Sequence, residues 1–316
     1  MPKSLLRSVS ALAAIALCAT SISACDSGSE AEGSGGESVT LGFVNGANTE
    51  FHTCLLKAVE AQASASGAKV ISANSKQDPG TELSNIEDMI SRNVDALVVQ
   101  TVNVDALKND IAKAKSANIP IYLTSVITDD TSSILGATVV DLGKVGALDA
   151  EWIAKDAGSE PAEVGVIAGA PGAASDIMVK GFTGGLPANV KVVANQPGMF
   201  NRGKAQDVAD NMIQAHPNLK YAFVANEDMA FGVLEAFKAA GKSVKIVTVN
   251  GTEQGLEAVK DGRFSATVSN SATDIGQGAV KNVLALLDEQ PAEKIAQAPI
   301  KLITKDNVAE APKYCL

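Results

Sequence analysis

VTLGFV (39–44), AKVISA (68–73), DALVVQ (95–100) and IPIYLT (119–124) are four short, β-branched apolar runs, each next to an Ala-rich amphipathic stretch of about ten to eighteen residues. Alternation of such runs with helical patterns argues a parallel sheet whose crossovers are helices. The pattern then starts again with EVGVIAG (163–169), VKVVANQ (190–196), YAFVAN (221–226) and VKIVTVN (244–250), separated by helical segments such as Arg202 to Ala215 and Asp228 to Ala240. Strands continuing flat through both series would make one large sheet. Because each series has its own set of strands, two doubly wound α/β lobes with several chain crossings are expected instead. Helix starts are readable as well: Asp78-Pro79 opens the segment Thr81 to Ser91, and Asp141 precedes Leu142 to Ala157. Gly262-Arg263-Phe264 leads into SATVSN (265–270), a short strand, and then a helix from about Thr273 to Asp288. That helix needs a seat in the first lobe, since the second already has its set.

Composition narrows the function. The chain has 316 residues, 46% hydrophobic and 20% charged, enough for two domains with cores of their own. A net charge of −10 with no basic stripe argues against nucleic acid as a partner. Two histidines, His52 and His216, and no CxxC pair leave little from which to build a metal centre. No nucleophile elbow, His–acid pair or carboxylate pair at hydrolase spacing is present, so neither catalysis nor a cofactor is expected. The turn Gly169-Ala170-Pro171-Gly172-Ala173-Ala174 opens a helix after a strand, but it lacks the lysine and full glycine pattern of a phosphate cradle.

The N-terminus reads as an address. Lys3 and Arg7 precede an apolar run from Ala11 through Ala19, too short to span a bilayer. Ile22-Ser23-Ala24-Cys25 resembles the bacterial lipoprotein processing motif, which implies loss of residues 1–24 and lipidation of Cys25. An ordinary secretory signal with a chance cysteine is the other reading. DSGSEAEGSGGES (26–38) has the composition of a flexible tether. A globular body held by its lipid to the outer face of the cytoplasmic membrane is expected, with no other membrane contact. In that compartment disulfides persist, so Cys54 and Cys315 are expected to pair and tie the C-terminal tail to the first lobe; two free thiols is the alternative.

Over about Val39 to Thr304 the chain resembles the ribose-type periplasmic binding proteins, the solute-binding components of ABC importers with a LacI-like two-lobe fold. The resemblance is carried by VNGANTEFH (44–52), SNIEDMISRNVDALVVQ (84–100), ANIPIYL (117–123), the long segment from Gln196 to Lys242 with its NEDMA phrase (226–230), and IVTVNGTEQGLEAVKDGRFSATV (246–268). It implies a three-segment hinge with crossings near Val139, Asn270 and Pro299. The expected domains are therefore 39–139 plus 271–299 for the N-terminal lobe and 140–270 plus 300–316 for the C-terminal lobe and tail. The fold is shared with repressors, but a signal peptide stands where those carry a helix-turn-helix.

Ligands of doubly wound sheets bind outside the carboxyl ends of the strands, and two facing lobes make one shared crevice. Residues just after the strands are accordingly the candidate ligand contacts: Asn48, Phe51, His52, Ser125, Asp176, Phe200, Asn226, Asn250 and Asn270. An asparagine amide both donates and accepts, as a hydroxyl-rich solute requires. Phe51 and Phe200 match positions where the family places stacking aromatics, and His52 falls where it usually has a second one. Ribose-type pockets carry an Asp-Arg pair after the fourth strand and another Arg at the start of the second lobe's first helix; here Ser125-Val126 and Asp176 stand there. Asn250 replaces the usual Asp and Asn270 the usual Gln. These departures point to a rebuilt, nearly neutral pocket for a sugar or polyol other than ribose, or for a non-sugar solute. The expected protein is a monomer that delivers its solute to an ABC permease, with presentation to a membrane sensor as the rival role.

Overall fold

The computed structural model describes residues 38–172 and 174–316. The leader, Cys25 and all of the tether except its last residue lie outside the described residues. The first sheet collects β1 (Thr40–Asn45), β2 (Lys69–Asn74), β3 (Ala96–Gln100), β4 (Ile121–Ser125), β5 (Gly136–Val139) and, from far down the chain, β11 (Ile295–Gln297), in the order β11-β5-β4-β3-β1-β2. The second collects β6 (Ala162–Ala168), β7 (Val190–Pro197), β8 (Leu219–Val224), β9 (Lys245–Asn250), β10 (Ala266–Asn270) and β12 (Ile300–Ile303), in the order β12-β10-β9-β8-β6-β7. All pairings are parallel except β10 with β12. The two-lobe doubly wound architecture is thus the one the alternating runs predict, with six strands in each sheet.

Helices α1 (Glu50–Ala65), α2 (Pro79–Ser91) and α3 (Leu107–Ser116) connect strands of the first sheet. Helices α4 (Leu142–Ala157), α5 (Ala174–Gly185), α6 (Arg202–Ala215), α7 (Glu227–Ala239) and α8 (Glu253–Lys260) belong to the second half of the chain. Both legible helix starts are capped: Asp78 Oδ1 accepts from Thr81 N at 2.6 Å, and Asp141 Oδ1 accepts from Lys144 N at 2.8 Å. Strands β3 and β4 are buried along their whole length, as strands covered by helices on both faces must be.

The chain changes sheets three times: between β5 and α4, between β10 and α9 (Ala272–Leu287), and between β11 and β12. Helix α9 returns to the first lobe and packs on α1, β4 and β5. Gly276 makes the close approach possible, because a Cβ there would stand 2.7 Å from Ala58 Cβ and 3.0 Å from Leu55 O. In the second lobe α4 and α5 approach more closely still: a Cβ on Gly146 would run into Met178 O and Phe182 N, and one on Gly181 into Gly143 O. Past β12, a short 3-10 turn (Val308–Glu310) contacts α8. The last residues then return to α1, where Cys315 forms a disulfide with Cys54, 261 positions earlier.

Two outcomes follow from this packing. Gly146→Ala forces backbone against backbone, so a cost of about 1–3 kcal/mol and a Tm lowered by several degrees are expected; an unchanged melt would show that α4 and α5 separate freely. The exported chain is expected to gain about 2 Da in intact mass on reduction, and opening so long a loop to remove on the order of 5 kcal/mol of stability in the chain-entropy model.

Candidate functional site

Both sheets have the strand order 2-1-3-4-5 with an added edge strand, so each has a switch point where helices leave to opposite faces. In the first sheet the switch lies between β1 and β3, whose last residues Asn45 and Gln100 are register partners. In the second it lies between β6 and β8, where Ile167 pairs with Val224. A cavity of about 100 Å³ runs between these two crevices. The first lobe supplies Gly46, Ala47, Phe51, His52, Gln100 and Ser125 among others, the second supplies Ala170, Met178, Phe200, Asn226 and Asn250, and Asn270 joins them at a crossing.

Of the residues singled out in the sequence, Phe51, His52, Ser125, Phe200, Asn226, Asn250 and Asn270 stand on the cavity wall. Asn48 is exposed and outside the wall. Asp176 is also exposed and outside it; its carboxylate accepts from Gly172 N at 2.7 Å and so pins the turn before α5. Gln77, Gln100 and Thr101 are further polar wall residues. Gln100 ends β3 as Ser125, Asn250 and Asn270 end β4, β9 and β10, and it is not among the residues singled out in the sequence.

Local structure explains how these side chains reach the cavity. Gln77, Ser125, Phe200 and Asn250 all adopt positive φ, at 64°, 68°, 51° and 138°. Such a backbone turns sharply where the chain leaves a strand, at a cost of order 1–3 kcal/mol per residue, and four such positions stand around this one cavity. The ring of Phe200 lies over Gly169, where a Cβ would collide with it. His52 is held from both sides: Nδ1 meets Thr49 Oγ1 at 2.7 Å and Nε2 meets Gln100 Oε1 at 2.9 Å. Since an amide oxygen only accepts, Nε2 carries the proton and Nδ1 accepts from the threonine. Burial lowers the His52 pKa to about 4, against the opposing hydrogen bond that Nε2 donates to Gln100, so the ring is neutral at pH 7.

Three other polar groups bear directly on the cavity. Ser125 Oγ and Asn270 Oδ1 are buried and have no hydrogen-bond partner among the described residues. Asn226 spends its Oδ1 on Met229 N, at 2.9 Å, capping α7, which leaves its amide nitrogen for the cavity. Among the described residues, none of the side chains on the wall is an acid, a lysine or an arginine.

Ionisable groups stand one layer behind, where carboxyls hold the wall loops. Glu82, buried in α2, accepts from Thr101 Oγ1 and from Val102 N, each at 2.6 Å. Glu227 in α7 accepts from Gly251 N at 2.9 Å, Thr252 N at 2.8 Å and Thr267 Oγ1 at 2.7 Å. Burial outweighs these donors and raises Glu82 to about 8 and Glu227 to about 7. Asp110 beside Glu82 and the wholly buried Asp149 near Glu227 are raised as well, again chiefly by burial. Across the cleft, Val104 N donates to Gly172 O at 3.1 Å, a direct backbone bond between the lobes.

Known proteins share this architecture. The family model described as periplasmic binding protein domain matches residues 41–291. The ribose import binding protein of Bacillus subtilis (strain 168) is 31% identical over 272 residues, 84% of this chain and 87% of the relative. The xylitol-binding protein of Mycolicibacterium smegmatis is 27% identical over 313 residues, 97% of this chain and 88% of the relative. Among solved structures, the periplasmic binding protein component of the arabinose ABC transporter from Shewanella, bound to α- and β-L-arabinofuranose, superposes with a TM-score of 0.80 at 26% identity, covering 86% of this chain and 94% of that one. A match over most of the two-lobe body, and a relative aligned over most of its own length, place this chain in the periplasmic binding protein family.

Proposed function

We propose that this protein is the solute-binding component of an ABC importer, capturing a small neutral sugar or polyol between its lobes and presenting it to a membrane permease, without chemistry of its own. The observation that carries the reading is the make-up of the wall: amides, hydroxyls, a neutral imidazole and one phenylalanine from each lobe, set among aliphatic residues such as Leu142, Met178 and Val249, with no charged side chain among the described residues. Hydroxyls that donate and accept at the same carbon are answered by amides, while Phe51 and Phe200 offer faces to the apolar C–H surface of a ring or chain. Ser125 Oγ and Asn270 Oδ1, buried and without a partner among the described residues, add directional partners whose satisfaction favours closure. Ligands named for the relatives, ribose, xylitol and arabinose, belong to this chemical class. The lipoprotein leader, Cys25 and the tether complete the reading as a monomer tethered outside the cytoplasmic membrane.

A thermal-shift screen over neutral sugars, polyols, amines and sugar acids tests it: neutral polyhydroxylated solutes should raise Tm, a ligand at 100 times its Kd contributing about 2.7 kcal/mol. A hit confined to amines or acids would overturn the reading. For the solute so found, Phe51→Ala and Phe200→Ala are each expected to weaken binding about tenfold, and Asn48→Ala to leave it unchanged, by calorimetric titration.

The His52 imidazole gives a pH signature. In the unfolded chain it takes up a proton near pH 6.5 and in the folded chain only near pH 4. Below 6.5 the unfolded state binds the extra proton, so the stability linked to this group is complete above pH 6.5 and is lost as pH falls toward 4. His52→Gln is expected to flatten that part of the Tm profile; parallel profiles for the two proteins would show that His52 carries no such linkage.

A further inference from the structure

The last residues of the chain make contacts that solute capture leaves unexplained. After β12 the tail runs along the crossing between β10 and α9: Ser271 Oγ donates to Lys313 O at 2.7 Å, and Thr273 donates to Tyr314 O from its N at 3.1 Å and its Oγ1 at 3.2 Å. Cys315 then closes on Cys54 in α1. The buried Tyr314 ring clusters with Cys54 and Ala272, and Phe51 packs against that cluster. Its hydroxyl accepts from Asn250 Nδ2 at 2.9 Å. Phe51 is cavity wall from the first lobe and Asn250 is cavity wall from the second. One buried side chain therefore backs a wall residue of each lobe, and a covalent bond holds it there.

Resting on the solute-capture reading above, we propose that Tyr314 is a positioning residue for solute binding, and that the Cys54–Cys315 bridge, by seating it, makes solute affinity depend on the redox state of the two cysteines. The three chain crossings are single strands of backbone, and the bridged tail is a fourth link between the lobes. A dithiol reductant opens it by giving up two electrons and two protons: the sulfur–sulfur bond breaks, Cys54 and Cys315 become thiols, and the dithiol closes to its own disulfide. Residues at the chain end then regain backbone freedom and must be ordered again each time the cleft closes. The fraction of molecules in the binding arrangement falls, and the apparent affinity falls with it.

The test uses the full chain with two readouts. The first needs no solute: hydrogen exchange at the Val104 amide, which bonds to Gly172 across the cleft, is expected to speed up about tenfold in the double variant Cys54→Ser with Cys315→Ser, while amides of β3 stay protected. The second is affinity for xylitol, D-ribose and L-arabinose. For whichever of them binds, dithiothreitol is expected to weaken binding about tenfold in the wild type and to change nothing in the double serine variant. Tyr314→Phe, which keeps the ring and the bridge, is expected to cost about fivefold in affinity, and that cost should vanish in an Asn250→Ala background, whereas a merely structural effect would add to it. Unchanged Val104 exchange in the double serine variant, or additive effects of the Tyr314 and Asn250 substitutions, would overturn the proposal. If none of the three solutes binds the wild type, the solute reading fails for them, and the exchange measurement alone decides whether the tail braces the lobes.

Discussion

Helix α9 leaves the second sheet and docks on α1 of the first, with Gly276 against Ala58 and Leu55, and the two-lobe arrangement depends on that contact. A chain that crossed once would make two lobes on a single swivel. With α9 returned to the first lobe, the chain must cross again to reach β12, and three strands of backbone then constrain the same hinge. The carboxyl ends of both sheets face each other as a result, and the residues at the two switch points become the walls of one cavity. The same docking places Ala272 and Thr273 where the tail can pack on them.

Ionisable groups are distributed around this cavity by depth. The wall is neutral, whereas the layer behind it contains Glu82 and Glu227, whose oxygens collect backbone and hydroxyl donors from the wall loops. An isolated buried carboxylate would be costly, and the raised pKa values of Glu82 and Glu227 record that cost. Gly255 belongs to the same device, since a Cβ there would occupy the space of the Glu227 carboxyl group. The neutral wall can thus be shaped with ionisable groups without showing a charge to its ligand.

Much of the fold was legible because strands buried on both faces must be apolar throughout: DALVVQ and IPIYLT could be little else. Asp78 and Asp141 were legible because capping is local chemistry within three residues. Strands β5, β11 and β12 were not, being three or four residues long and too short to carry a period. Around the cavity, looking at strand ends reaches Ser125, Asn250 and Asn270, the last residues of β4, β9 and β10, and Phe200 and Asn226 just beyond theirs; Gln100, buried inside the apolar run DALVVQ, reads as strand alone although it lines the cavity from the end of β3. Asn48 and Asp176 show the converse: in the loop before α1 and in the first turn of α5, a shift of one or two residues turns a side chain from wall to solvent. Tyr314 lies 64 positions from Asn250, and no local pattern announces a contact at that range.

Gly169 has a consequence for how such a cleft diversifies. The floor beneath the Phe200 ring is a single hydrogen atom, so the ring settles to a depth that no other residue at position 169 permits. A methyl group there would displace the aromatic ring from this seat while leaving the identity of every polar wall residue unchanged. Pocket height and pocket chemistry are therefore separately adjustable, and a lineage could move between thinner and bulkier solutes through a residue that never touches them.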